Sequence, residues 1–141
     1  MTIPSIKAAS SIESLNIEDG KMETPEYAEE VGWYTDSVRP GEDGNAVFAG
    51  HRDDREGNPG IFWRLGQIQV DDSIYVEDDL GRKREFRVVD VREYLHTNVP
   101  LTTLFTKSLS PHLILITCSG EYNSVNNNYS ERLIVTAVEI E

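Results

Sequence analysis

Apolar residues in this chain come in short runs, and none keeps the three-to-four spacing of a long helix. The runs are AVFAG (46–50), SIYVED (73–78), EFRVVDVREYL (85–95), LILIT (113–117) and RLIVTAVEI (132–140). Dense turn chemistry separates them: PGEDGN, EGNPG, EDDLGRK, TNVP, LSP and NSVNNN. Many short strands between such signals predict a mainly β chain built as a barrel or sandwich. Only two stretches suggest helix, and both are brief. TPEYAEE (24–30) offers Thr24 as a cap and Pro25 at the first helical position, and GIFWRL (60–65) could form another turn.

LILIT and LIVTAV are apolar on both alternating faces. Such strands are expected to face the barrel interior on one side and a covering loop or turn on the other. Cys118 directly follows the first and Arg132 opens the second, with SGEYNSVNNNYSE read as the loop between them. If the two strands are neighbours, a thiol and a guanidinium share one end of the pair. A nearby cation lowers a thiol's pKa and favours its reactive form.

The chain has 141 residues and a formal charge of −12. That length fits one domain, residues 1–141, able to bury a core without disulfides or metal. The charge argues against nucleic acid as a partner, because phosphate binding relies on lysine and arginine releasing counterions. It also disfavours a general attraction to anionic lipid. No window approaches the roughly 18 apolar residues of a membrane helix, and MTIPSIKAASS lacks the basic start and apolar core of a signal peptide. One cysteine and three scattered histidines give no zinc spacing. In DDREGNPG, the places where a calcium loop needs glycine and a bidentate glutamate hold Pro59 and Leu65, so that motif is broken and the loop reads as a polar turn, with looser calcium binding by its carboxylates left open. Neither a metal nor another cofactor is expected.

A lone cysteine cannot form an internal disulfide, so Cys118 is a packed thiol, an intermolecular link or a nucleophile. A nucleophilic cysteine normally has a histidine within reach. His112 lies six residues earlier on the same run, roughly 20 Å away in a strand, and drops out. His96, before TNVP, reads equally well as a loop residue. His51 ends an apolar run beside Gly50, much as Cys118 ends its own, and is the preferred base. The residues alone leave a packed thiol and a Cys–His site both open.

The order GNAVFAGHR, GIFWRL, LILITCSG and YSERLIVTA resembles the sortases, the cysteine transpeptidases of Gram-positive cell surfaces. The Leu-x-Thr-Cys motif falls on Leu115 to Cys118, the Gly-His pair on Gly50 and His51, and the arginine on Arg132. VGWY and PGEDGNAVFAGH are most similar to class F, with classes D and E as neighbours. The resemblance implies a closed eight-stranded β-barrel with short helices. It implies catalytic roles for Cys118, His51 and Arg132, with Thr117 shaping the substrate or oxyanion pocket. The expected partners are a Leu-Pro-x-Thr-Gly-type sorting signal and an amine acceptor such as a cell-wall precursor. Location at the outer face of the membrane is expected, through an N-terminal anchor outside the given residues. Small Ser119 and Gly120 are read as leaving room for a substrate backbone. The competing expectations are a thiol hydrolase without transfer and a noncatalytic β-barrel peptide-binding module. L,D-transpeptidases fit less well, because their arginine two residues after the cysteine is Gly120 here.

Overall fold

A computed structural model describes residues 1–106 and 108–141. Strands hold 49% of the chain and helical turns 7%, so sheet pairing rather than helix packing sets the architecture. The strands are β1 (Thr2–Ile3), β2 (Ala8–Ala9), β3 (Ile12–Leu15), β4 (Ile17–Glu18), β5 (Lys21–Met22), β6 (Val31–Tyr34), β7 (Gly44–Gly50), β8 (Ser73–Glu77), β9 (Lys83–Leu95), β10 (Pro111–Asn123) and β11 (Asn128–Glu139). Nine of them form one sheet in the order β2-β1-β8-β9-β11-β10-β7-β6-β3, and β4 and β5 form a separate ribbon.

The closed eight-stranded barrel expected from the resemblance is corrected in strand number and closure. The hydrogen-bonded ladder has nine strands and two edges, β2 and β3. Those edges are consecutive in the chain, joined only through Ser10 and Ser11. A trans-linked chain advances at most about 3.6 Å per residue, so this short link obliges the sheet to curl until its edges nearly meet. The result is a curled half-barrel. Val31 N–H donates to the Ser10 hydroxyl at 3.1 Å, tying the link to β6 by a side chain instead of a ladder bond.

The two-faced strands behave as their patterning implies. In β10, Leu113 and Leu115 are fully buried in the barrel interior with Phe48, Phe62, Phe86, Leu133 and Val135. The alternate residue Ile114 belongs to a second cluster with Val47, Ala49, Ile134, Leu15, Tyr34 and Leu104. Leu104 comes from α1 (Leu101–Leu104), a single turn that covers this outer face. That turn lies in a stretch whose preceding TNVP reads only as punctuation, so the pattern does not anticipate it.

Two other expectations change. GIFWRL does end in a short 3-10 turn, Leu65–Gln67, but TPEYAEE forms no helix. Its carbonyls are engaged elsewhere: Ala28 O accepts from Ile61 N–H at 2.7 Å, and Pro25 O meets an imidazole nitrogen. The supposed loop SGEYNSVNNNYSE is mostly paired strand, with only four residues, 124–127, between β10 and β11. Tyr122 and Tyr129 are register partners whose rings meet edge-on at 5.2 Å, an aromatic cross-strand pair of the kind that stabilises a hairpin. The asparagine run makes the turn: Asn123 Oδ1 accepts from Val125 N–H and Asn126 Oδ1 from Asn128 N–H.

Candidate active site

Strand parity and register position the candidate residues. Ile114, Ile116 and Cys118 alternate along one face of β10, and Val47, Ala49 and His51 continue the same parity from β7. β10 runs antiparallel to β11 with Cys118 directly opposite Arg132, and parallel to β7 with Ile116 opposite Ala49. Two residues beyond that last parallel pair stand Cys118 and His51. Neighbouring strands lie about 4.8 Å apart. Cys118 within β10 therefore stands between Arg132 on β11 and His51 just past the end of β7, over the second apolar cluster. All three line one cleft of about 370 Å³.

That cleft has an apolar floor including Ala49, Ile116, Tyr34, Val99 and Leu101. A second cleft of about 860 Å³ also reaches His51 and Cys118, and its remaining lining is mostly charged, polar or aromatic, including Arg52, Asp53, Tyr129 and Asn128. The half-buried thiol thus stands where two differently lined grooves meet. His96 enters the apolar cleft as well, from the exposed end of β9, but His51 alone of the histidines borders both grooves. His112 lies within β10, opposite Val138 and beside Ser108 and Ser110, away from the site as its sequence spacing implies.

The Arg132 guanidinium makes no carboxylate pair among the described residues. It donates to the carbonyls of Glu131 at 2.9 Å and Tyr129 at 3.2 Å, and to Asn128 Oδ1 at 2.7 Å. Neutral acceptors fix the group while leaving its charge uncompensated, which suits it to an incoming anion or carbonyl. Asn128 is a positioning residue that the sequence pattern did not reveal; its only signal is a place four residues before the arginine.

The thiol does not follow the charge argument alone. Burial pushes the Cys118 thiol above its ordinary range; Arg132 pulls it down, Asp53 pushes it up and Arg52 pulls it down, and burial wins. A cation beside the sulfur therefore offsets desolvation without overcoming it. Asp53 also accepts a short hydrogen bond from the Tyr129 phenol. Burial, then that bond and the Asp53 charge, push the phenol up to about 12, so it remains a donor at neutral pH. The Arg52 guanidinium lies 5.1 Å from the centre of the Tyr129 ring and 5.8 Å from Trp63. Arg52 and Asp53 thus tie the segment following His51 to the hairpin carrying Cys118 and Arg132. Removing the Asp53 charge in Asp53→Asn is expected to lower the thiol's pKa. Alkylation of Cys118 near neutral pH should then speed up about two- to threefold, read from its rate against pH, whereas Arg52→Ala should slow it.

The small residues near the site serve purposes other than those read from sequence. Ser119 is buried on the barrel side with its hydroxyl unpartnered, and so makes no room for substrate. Gly120 has φ +78, at the irregularity between Ser119 and Tyr122, where an added Cβ would run into Ser130 and Glu131. Gly50, beside His51, allows the Phe62 ring to approach closely: a Cβ there would lie 2.5 Å from Phe62 Cδ2 and 2.8 Å from Ile61 Cγ2. Gly50→Ala is expected to cost about 1–3 kcal/mol by overpacking, visible as a lower urea midpoint. Thr117, on the same strand face as Ser119, is 4% exposed with an unpartnered hydroxyl, yet its residue borders the apolar cleft. In the polar turn after Asp53, Asp54 accepts from the backbone N–H groups of Glu56 and Asn58 and from the Asn58 amide. Among the described residues no three of His, Cys, Asp and Glu gather as a metal site, and no helix is long and apolar enough to cross a membrane.

Comparison with known proteins places the fold and the family. The chain is similar in structure to sortase A from Corynebacterium diphtheriae in a lid-mutant form, with 26% identity, a TM-score of 0.76, and coverage of 99% of this chain and 68% of that one. It is similar to sortase A from the same organism at 25% identity and a TM-score of 0.75, covering 99% of this chain and 59% of that one. For sortase C-1 from Actinomyces oris the values are 25% and 0.76, with 99% and 70% covered. A search of curated proteins finds no match. The sortase-domain family model matches residues 1–140, and the chain therefore belongs to the sortase family, whose members generally are cysteine transpeptidases that anchor proteins to the Gram-positive cell wall.

Proposed function

We propose that this chain cleaves a Leu-Pro-x-Thr-Gly-type sorting signal between Thr and Gly, holds the acyl fragment on Cys118, and transfers it to an amine. The observation that carries the reading is the row of Arg132, Cys118 and His51 across three adjacent strands, at the meeting point of two grooves. The apolar groove suits the Leu-Pro end of an extended peptide. The polar one gives a second approach to the same sulfur.

The chemistry balances within these residues. Burial holds Cys118 as the neutral thiol, so its proton must leave as sulfur attacks the threonine carbonyl. His51 takes that proton and returns it to the departing glycine amine, leaving a thioester. The incoming amine attacks the thioester and gives its surplus proton to His51; sulfur leaves and is reprotonated. Arg132, fixed by Asn128 and two carbonyls, stabilises the oxyanion or the substrate backbone. Thr117, its hydroxyl buried, would meet the substrate through its backbone.

The solved relatives are named sortase A and sortase C, so the class F reading rests on VGWY, which forms β6, and on PGEDGNAVFAGH, which contains β7. Cell-surface display through an N-terminal anchor and a cell-wall precursor as acceptor belong to the same proposal. The test is incubation with a Leu-Pro-x-Thr-Gly peptide library and a glycine-type amine, read by mass spectrometry. Ligated product supports transfer; free acid alone identifies the hydrolase, and unchanged peptide favours the noncatalytic module.

A further inference from the structure

We propose that the backbone carbonyl of Pro25 is the group that orients His51, fixing its proton on Nε2 and leaving Nδ1 as the nitrogen that exchanges protons with Cys118 and the amines. The inference rests on His51 being the base of the proposed reaction and goes beyond it by assigning the reacting atom and its positioning group. His51 Nε2 lies 2.6 Å from Pro25 O. A carbonyl can only accept, and a neutral imidazole has one donor nitrogen and one acceptor nitrogen. The contact therefore requires N–H at Nε2. Nδ1 has no hydrogen-bond partner among the described residues. When the ring is protonated the same contact persists as a charge-assisted bond, so one acceptor serves both states that acid–base exchange demands.

The carbonyl is held by more than its own residue. Pro25 is buried, and the strap around it, residues 23–28, is fixed at several points. The buried Tyr34 phenol donates to Glu23 O at 2.6 Å, Glu23 N–H donates to Asn16 O at 3.0 Å, and Glu26 N–H donates to Glu13 Oε1 at 3.3 Å. At its far end Ala28 O accepts from Ile61 N–H at 2.7 Å, while His51 O accepts from Phe62 N–H at 3.0 Å. Strap and histidine are thus pinned to the same segment, 61–62, so the imidazole and its acceptor keep their geometry together. This also explains why TPEYAEE does not coil into a helix: its carbonyls hold the base and its loop instead of the next turn. A third group that sets tautomer and direction is the usual companion of a nucleophile–base pair. Here a main-chain atom fills that place.

Long-range ¹H–¹⁵N correlation spectra of the folded chain, labelled at histidine and recorded where the imidazole is neutral, test the assignment without substrate. The expected pattern is pyrrole-like Nε2 and pyridine-like Nδ1 for His51. A proton on Nδ1, or the averaged pattern of a free imidazole, would overturn it. A second measurement weakens the acceptor by making the Pro25–Glu26 linkage an ester, with Glu13→Ala as the control that removes the acceptor of Glu26 N–H and leaves the Pro25 carbonyl an amide. The ester form should lose at least about fivefold in kcat for peptide cleavage with KM within about twofold, by analogy with loss of the orienting member of a triad. The control should keep its kcat. An ester form with unchanged kcat and unchanged tautomer contradicts the proposal. A wild-type chain with the Nε2–H tautomer and no peptide turnover refutes the activity instead, so the two failures are distinguishable.

Discussion

Cys118→Ala is expected to abolish both cleavage and transfer of the sorting peptide, leaving only background hydrolysis. The expectation follows from what the sulfur does twice: it forms the thioester and then leaves from it, and among the described residues only Cys118 and its base His51 line both grooves. His51, Arg132 and the lining of the two grooves can bind and polarise a peptide, but a methyl group cannot accept an acyl fragment. The substitution should leave the fold intact. Cys118 is only half-buried at the rim of the second cluster, and alanine fits an antiparallel position opposite Arg132. Paired measurements on the variant, peptide turnover by chromatography and unfolding in urea, separate lost chemistry from lost structure. Full turnover with a normal unfolding curve would end the nucleophile assignment.

Arg132→Ala is expected to lower kcat/KM at least about a hundredfold, the loss typical of removing one preorganised oxyanion donor. Arg132→Lys should recover little of it. The guanidinium satisfies three acceptors at once, Asn128 Oδ1 and the carbonyls of Tyr129 and Glu131, and a lysine ammonium cannot reproduce that planar fork. A second effect accompanies the first. Arg132 is the strongest influence pulling the Cys118 thiol down against burial, so without it the thiol's pKa rises further and alkylation near neutral pH slows. A purely structural role for Arg132 would lower stability without moving the alkylation profile. His51→Ala should cost at least about a hundredfold as well, and the alkylation rate separates its loss from that of the arginine.

The parts of this molecule that followed from sequence are those set by strand alternation. LILIT and LIVTAV announce two covered faces, and the structure supplies them as the barrel interior and the cluster beneath α1. The same period-two logic places Cys118, Arg132 and His51 on one face once β7, β10 and β11 are neighbours. What the pattern could not carry are contacts made across the chain by main-chain atoms and by polar side chains with no periodicity. TPEYAEE has good helix-start chemistry, yet its carbonyls are taken by His51 and Ile61, a tertiary preference that overrides local propensity. The stretch from Ser119 to Glu131 reads as loop because it is polar, although the Tyr122–Tyr129 pair and the Gly120 irregularity make it hairpin. The curl of the open sheet was equally hidden: it depends on the two-residue link between β2 and β3, which no hydrophobic pattern marks. The Arg52–Asp53–Tyr129 contacts join residues far apart in sequence, and only the chain's return to the same rim brings them together.

Intact-mass analysis of the folded chain, quenched in acid during incubation with a Leu-Pro-x-Thr-Gly peptide and no added amine, tests the central claim most directly. The expected result is a species heavier by the acyl fragment ending in threonine, mapped by proteolysis to Cys118 and discharged into ligated product when a glycine-type amine is added. A chain that consumes the peptide without ever carrying that fragment on Cys118, or that carries it on another residue, would contradict the account.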